Sequence, residues 1–162
     1  MPAETPPSVR RLRIAVCGGH GSDAHIVMLA ERVGGAIARA NAILICGGLG
    51  GVMEAAARGA ARAGGLTVGV LPGQFASDAN PWIALPLPTG MGEARNALVV
   101  RFADAIIAID GEWGTLSEVA LACRMGIPVV LLAPTLTAGL GLETADEPDH
   151  AVTRALELAA LR

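Results

Sequence analysis

The sequence predicts a single-domain α/β fold, a doubly wound, Rossmann-like parallel sheet flanked by helices. Apolar runs of strand length alternate with helix-length segments along the chain, and repeated βα units of this kind build parallel sheets with right-handed crossovers. Most of the runs are continuously apolar rather than alternating, as strands covered on both faces are. With 162 residues and 52% hydrophobic side chains, the chain can build one full core. Domains most often hold about 100–150 residues, and a chain this apolar is not disordered as a whole.

Taken in order, residues 1–10 carry Pro2, Pro6 and Pro7 and no apolar run, so a disordered leader is expected there, neither signal peptide nor membrane anchor. The domain then spans 11–162. Its first strand, Arg13–Cys17, runs through a glycine turn into a helix over Ala24–Arg39. The second, Ala42–Cys46, passes through Gly47–Gly51 into a helix over Val52–Ala63, and a third strand is expected at Thr67–Leu71. The segment Pro86–Asn96 leads into a helix over Glu93–Phe102, followed by a strand at Ala105–Ile109 and a helix over Leu116–Met125. The uncharged stretch Met125–Leu142 is interrupted by Pro128, Pro134, Gly139 and Gly141. It therefore reads as a buried strand, Ile127–Leu132, plus a loop, not as a membrane span. A last helix over Pro148–Leu161 starts with proline in its first turn, a favoured position.

Composition removes several function classes. All 12 cationic side chains are arginine, so there is no lysine for a pyridoxal-phosphate Schiff base, a P-loop or a lysine general base. A net charge of −3, no basic run and only four aromatic residues argue against nucleic acid as a partner. Three cysteines without a CxxC (Cys17, Cys46, Cys123) indicate neither a disulfide framework nor a zinc site, and are expected to be buried free thiols in a reducing cytoplasm. His20, His25 and His150 form no metal-ligand pattern, so no metal is expected.

In open α/β sheets ligands bind beyond the carboxyl ends of the strands, and three loops there are candidates. The first, Gly18 to Ala24, contains G-x-G-x-x-A with Gly19, Gly21 and Ser22 in reach of an anion. A nicotinamide site also wants an acid at the end of the second strand, and none follows Cys46 before Glu54. The second is the run Gly47, Gly48, Gly50 and Gly51 ahead of a helix N-terminus, a natural seat for phosphate. The third runs from Asp110 through Gly111, Gly114 and Thr115 to Glu118. Thr115 and Glu118 also satisfy the capping-box spacing, which would commit both side chains to a helix end. Arg95, beside Asn96, is the arginine placed to supply fixed positive charge at the same edge.

The ordered set Cys46-Gly-Gly-Leu-Gly-Gly-Val-Met-Glu54, Gly90-Met-Gly-Glu-Ala-Arg-Asn96 and Trp113-Gly-Thr-Leu-Ser-Glu118 resembles the LOG-like Rossmann superfamily, whose members are often labelled lysine decarboxylases. Leu71-Pro-Gly73 and Ala79-Asn-Pro81 add to the likeness. The branch most similar is that of the molybdenum-cofactor carrier proteins. A pyridoxal-phosphate decarboxylase is excluded by the missing lysine. The resemblance implies binding of a small phosphorylated ligand, a nucleotide or a molybdopterin-type cofactor carried as cargo, with no cofactor needed for chemistry. It also implies a homo-oligomer, dimer or tetramer, in the cytoplasm.

The alternative that the resemblance implies is a nucleoside 5′-monophosphate phosphoribohydrolase of the Lonely Guy type, releasing free base and ribose 5-phosphate. Its motif, proline-Gly-Gly-x-Gly-Thr-x-x-Glu after an Arg-Lys pair, matches here at Arg95, Gly111, Gly114, Thr115 and Glu118. Arg95 and Glu118 would then be catalytic. Asp110 stands in place of the proline, Glu112 in place of the second glycine and Asn96 in place of the lysine. A carboxylate at 112 repels a phosphate dianion unless it turns away: about 4 kcal/mol at 4 Å for unit charges in an effective dielectric near 20. His20, Met91 and Trp113 are candidates for reading the base or pterin.

Overall fold

The computed structural model describes residues 10–21 and 23–162. The expected leader, apart from Arg10, and the candidate Ser22 lie outside the described residues. Seven strands form one parallel sheet: β1 (Arg13–Gly18), β2 (Ile43–Cys46), β3 (Thr67–Leu71), β4 (Leu85–Pro88), β5 (Ala105–Ile109), β6 (Val129–Leu132) and β7 (Glu143–Ala145). Their order is β4-β3-β2-β1-β5-β6-β7, so the chain winds outward from β1 in one direction and then from β5 in the other. Five helices cover the sheet: α1 (Ala24–Arg39), α2 (Val52–Arg62), α3 (Asn96–Phe102), α4 (Trp113–Met125) and α5 (Pro148–Ala160).

Strand alternation assigns the two layers. Ile14 and Val16 of β1 pack with apolar residues of α1, α2 and α5. Ala15 and Cys17 point the other way, into the cluster that holds Val99 and Val100 of α3 and Val119 and Ala122 of α4. Both faces of the central strands are therefore buried, which is why those strands read as unbroken apolar runs.

Two glycines let α1 and α2 touch backbone to backbone. A Cβ on Gly34 would stand 1.9 Å from the Ala56 carbonyl oxygen, and one on Gly59 would stand 1.9 Å from that of Glu31. Beside this contact Glu31 binds Arg58 at 3.0 Å and Arg62 at 2.8 Å. At the amino end of the sheet, Asp104 accepts from the Arg13 backbone N–H at 2.8 Å and from its guanidinium at 2.9 and 3.1 Å, with Arg10 as a further partner. Burial alone would raise the Asp104 pKa, but the bonds and charge of Arg13 outweigh it and hold the carboxyl below its ordinary value.

The structure departs from the sequence expectations at several places. β4 was not foreseen, because Pro86 and Pro88 lack N–H donors; it is tolerated as an edge strand pairing only with β3. The three-residue β7 on the opposite edge is too short to show a pattern. The helix expected over Glu93–Phe102 divides into a 3₁₀ turn, Gly92–Arg95, and α3. Cys123 is exposed, whereas Cys17 and Cys46 are buried as expected. Among the described residues no helix is long and apolar enough to cross a membrane.

The α1–α2 contact yields a direct test. Gly34→Ala places a methyl against backbone that cannot rotate away, so it should cost at least about 2 kcal/mol. Urea or thermal unfolding measures this, and an unchanged midpoint would mean that the helices do not approach as described.

Candidate functional site

The strand order reverses around β1, between β2 and β5, and such a switch point opens a crevice at the carboxyl ends of the strands. A cavity of about 390 Å³ lies there. Its walls come from the turn after β1, the glycine run after β2, the 3₁₀ turn before α3, and the first turns of α4.

Arg95 closes the 3₁₀ turn and is 8% exposed. Its Nη1 donates to Asn96 Oδ1, its Nη2 reaches the Gly47 carbonyl oxygen at 3.5 Å, and its Nε has no partner. Gly47 is the residue that admits the guanidinium: a Cβ there would lie 2.6 Å from Arg95 Nη2 and 2.6 Å from Met53 Sδ. The rest of the glycine run is fixed by Asn80, whose backbone N–H donates to the Gly48 carbonyl and whose Nδ2 donates to the Leu49 carbonyl, both at 2.9 Å.

The third loop does not form the capping box that its spacing allows. Asp110 takes a left-handed backbone, φ 56°, and Thr135 Oγ1 donates toward Asp110 Oδ1 at 3.0 Å and the Gly111 carbonyl at 2.9 Å. The chain then enters α4 at Trp113, three residues before the expected start, with Glu112 as N-cap and no side-chain capping bond. Thr115 and Glu118 consequently lie inside the helix. Thr115 is 2% exposed and its hydroxyl has no partner, while Glu118 is 7% exposed and bonds the Cys17 thiol. Burial raises the Glu118 pKa to about 7, against the smaller lowering by Cys17 and Arg95. Burial and the nearby Glu118 likewise push the Cys17 thiol well up, so it stays protonated at neutral pH.

Of the sequence candidates, Arg95, Asn96, Thr115 and Glu118 line the cavity together with Gly19, Gly47 and Gly114. His20 lines it as well. Gly21, Gly48, Gly50, Gly51 and Gly111 do not form its wall. Gly51 instead packs on the first loop, where a Cβ would stand 2.2 Å from the Gly19 carbonyl oxygen. Met91 and Trp113 are exposed and lie off the lining.

Cys17 is a contributor that the sequence candidates do not include, and Glu112 enters them only as an obstacle to phosphate unless it turns away. Cys17 forms part of the cavity floor; the alternation along β1, which turns residues 15 and 17 toward α3 and α4, was the available signal. Glu112 folds back so that its carboxyl lies over Gly19, with Cδ and Oε1 2.8 Å from the position of a Cβ there. Nothing in the spacing of residues foretells that contact. Among the described residues, no group of three or more His, Cys, Asp or Glu side chains could hold a metal ion.

The model of the SLOG cluster4 family matches residues 11–160. An uncharacterized protein of Archaeoglobus fulgidus is 39% identical over 144 residues, covering 89% of this chain and 94% of its own. The molybdenum cofactor binding protein of the phototrophic bacterium Rippkaea orientalis superposes with a TM-score of 0.87 at 33% identity, covering 93% of this chain and 99% of that one. The molybdenum cofactor carrier protein of Chlamydomonas reinhardtii gives 0.85 at 32% identity, with the same coverage.

The raised Glu118 pKa makes stability depend on pH. Between 4.5, its ordinary value, and about 7, the folded protein keeps a proton that the unfolded chain has released, so stability falls as pH rises through this window. Glu118→Gln removes the titration. Near pH 8 the variant should be more stable than the parent by about 3 kcal/mol, shrinking to less than about 1 kcal/mol near pH 5. Parallel unfolding curves for the two proteins across that range would contradict the assignment.

Proposed function

This chain belongs to the SLOG cluster4 family, and from that premise we propose that it binds a small phosphorylated ligand at the α4 N-terminus, as a carrier of the molybdenum cofactor. The observation that carries the reading is a pair of buried polar atoms without partners, Arg95 Nε and Thr115 Oγ1, on two residues that line one cavity. A buried donor left unpaired costs about 1–3 kcal/mol, and a phosphate would satisfy both. The α4 N-terminus adds backbone N–H groups at Gly114 and Thr115, with no side-chain cap from Glu112 competing for them. The named functions of the Rippkaea and Chlamydomonas proteins support molybdenum cofactor as the cargo.

In this reading the phosphate sits between the Arg95 guanidinium and Thr115, and Gly47 serves by leaving room for the guanidinium. Gly19 serves the first loop by making room for Glu112, rather than as part of the phosphate seat. Carrying cargo needs no bond to be broken; the cavity shields the ligand and the Arg95 charge orients it.

A single observation favours hydrolysis as the second reading. Glu118 has a pKa of about 7 in a cleft beside Arg95, the condition of a group able to give or take a proton near neutrality. If the ligand is a nucleoside 5′-monophosphate, Glu118 would stabilise the oxocarbenium-like ribosyl centre or orient water.

Two measurements separate these readings. Anaerobic titration with molybdenum cofactor, followed by molybdenum content after gel filtration, should show retention by the native protein. Arg95→Met should weaken it about 10–100-fold, the loss of a charge-assisted bond worth about 1.5–3 kcal/mol. Retention equal in both proteins would refute the seat. Incubation with nucleoside 5′-monophosphates should give no free base; release that disappears in Glu118→Gln would establish the hydrolase instead.

A further inference from the structure

We propose that Glu112 is a specificity-determining residue that reads the 2-amino-4-oxopyrimidine edge shared by guanine and pterin rings. This rests on the phosphate seat proposed above, and names the ring that the phosphorylated ligand carries.

The arrangement of Glu112 is built, not incidental. Its carboxyl lies against Gly19, where a Cβ would stand 2.8 Å from Cδ and Oε1, and 3.9 Å separates Oε1 from the corresponding position on Gly21. The first loop thus leaves the space that the carboxyl fills. As N-cap of α4 its side chain makes no capping bond, and while its backbone carbonyl accepts from the Leu116 N–H at 2.9 Å, its carboxyl takes part in no hydrogen bond or ion pair among the described residues. Its acceptors therefore remain available, on a residue that lines the cavity.

The charges around it point to the partner. The lining contains one guanidinium, Arg95, and three carboxyl groups, on Glu93, Glu112 and Glu118. Glu118 bonds Cys17 and lies beside Arg95. A ligand that brought only negative charge would be opposed at Glu112. One that brings phosphate at one end and hydrogen-bond donors at the other meets complementary groups at both. An ionised carboxylate only accepts, and its two oxygens suit a pair of parallel N–H donors. The ring N–H and adjacent amino group of guanine or pterin are such a pair. Adenine offers an amino group beside a ring nitrogen lone pair, which would face the carboxylate as acceptor against acceptor. A cavity of about 390 Å³ is in the range of small-molecule sites.

Equilibrium binding by calorimetry with GMP, IMP and AMP, and with 6-hydroxymethylpterin monophosphate against its lumazine counterpart, tests this. At least one 2-amino ligand should bind tenfold or more tightly than its partner lacking that group, because a site built to pair a donor rejects the analogue without it. In Glu112→Gln, whose amide presents its own N–H to the ligand, that ratio should fall below threefold. The ratio is the readout, so a general loss of affinity does not count in favour.

Equal binding of each pair by the native protein overturns the proposal, as does a preference that survives Glu112→Gln. If in either case binding still depends on Arg95, the phosphate seat stands and only the ring assignment falls. If neither these ligands nor inorganic phosphate and pyrophosphate bind, both fall together.

Discussion

A buried guanidinium governs the site. Arg95 is the one buried cation among the described residues, in a chain that has no lysine to share the task. Removing a charge from water costs several kcal/mol even after relaxation. Here the compensation is partial: a side-chain amide oxygen, a carbonyl at 3.5 Å and an Nε without a partner. The surroundings follow from this. Residue 47 has to lack a side chain, the turn before α3 has to tighten so that residue 95 faces inward, and Glu118 has to remain near enough to lower the local potential without closing the site.

Glu118 and Arg95 are therefore linked without forming a closed ion pair. Burial favours the neutral carboxylic acid, while the guanidinium favours the carboxylate, and a pKa of about 7 marks the balance. An anion placed on Arg95 would shift that balance toward the acid, since it neutralises the charge that favours ionisation. Were such an anion bound, its uptake and proton uptake near neutral pH would be one coupled event by linkage. A carrier gains from this a sensitivity to its surroundings, and a hydrolase gains a protonated acid at the moment substrate is seated.

Much of this was legible in the sequence, and the exceptions have physical causes. The five central strands are unbroken apolar runs because helices cover both faces, and the positions of Gly47, Arg95, Thr115 and Glu118 follow from their places after strands or at helix starts. β4 was hidden by Pro86 and Pro88, which contradict strand propensity yet are harmless on an edge. The capping-box spacing of Thr115 and Glu118 was real in the sequence but misleading. Local pattern cannot tell whether a helix begins at residue 113 or 116, and that difference decides whether these two side chains cap the helix or face the cavity. The Glu112–Gly19 contact joins residues from separate loops, so only the assembled sheet reveals it.

The departures from the hydrolase motif at 110 and 112 belong to one rearrangement. Asp110 adopts φ 56°, a backbone closed to proline, whose ring holds φ near −65°. Thr135 secures that turn through the Asp110 carboxyl and the Gly111 carbonyl. The turn leads directly into α4 and sets Glu112 as its N-cap, from which the side chain reaches the first loop. A glycine at 112 would leave that reach empty, and a side chain at 19 would block it. The two loops therefore fit as a pair: Asp110 shapes the approach, Glu112 spans it and Gly19 receives it. The carboxylate that would oppose a phosphate at the helix end is held over the neighbouring loop instead, which in the proposed reading would leave Gly114, Thr115 and Arg95 to an anion.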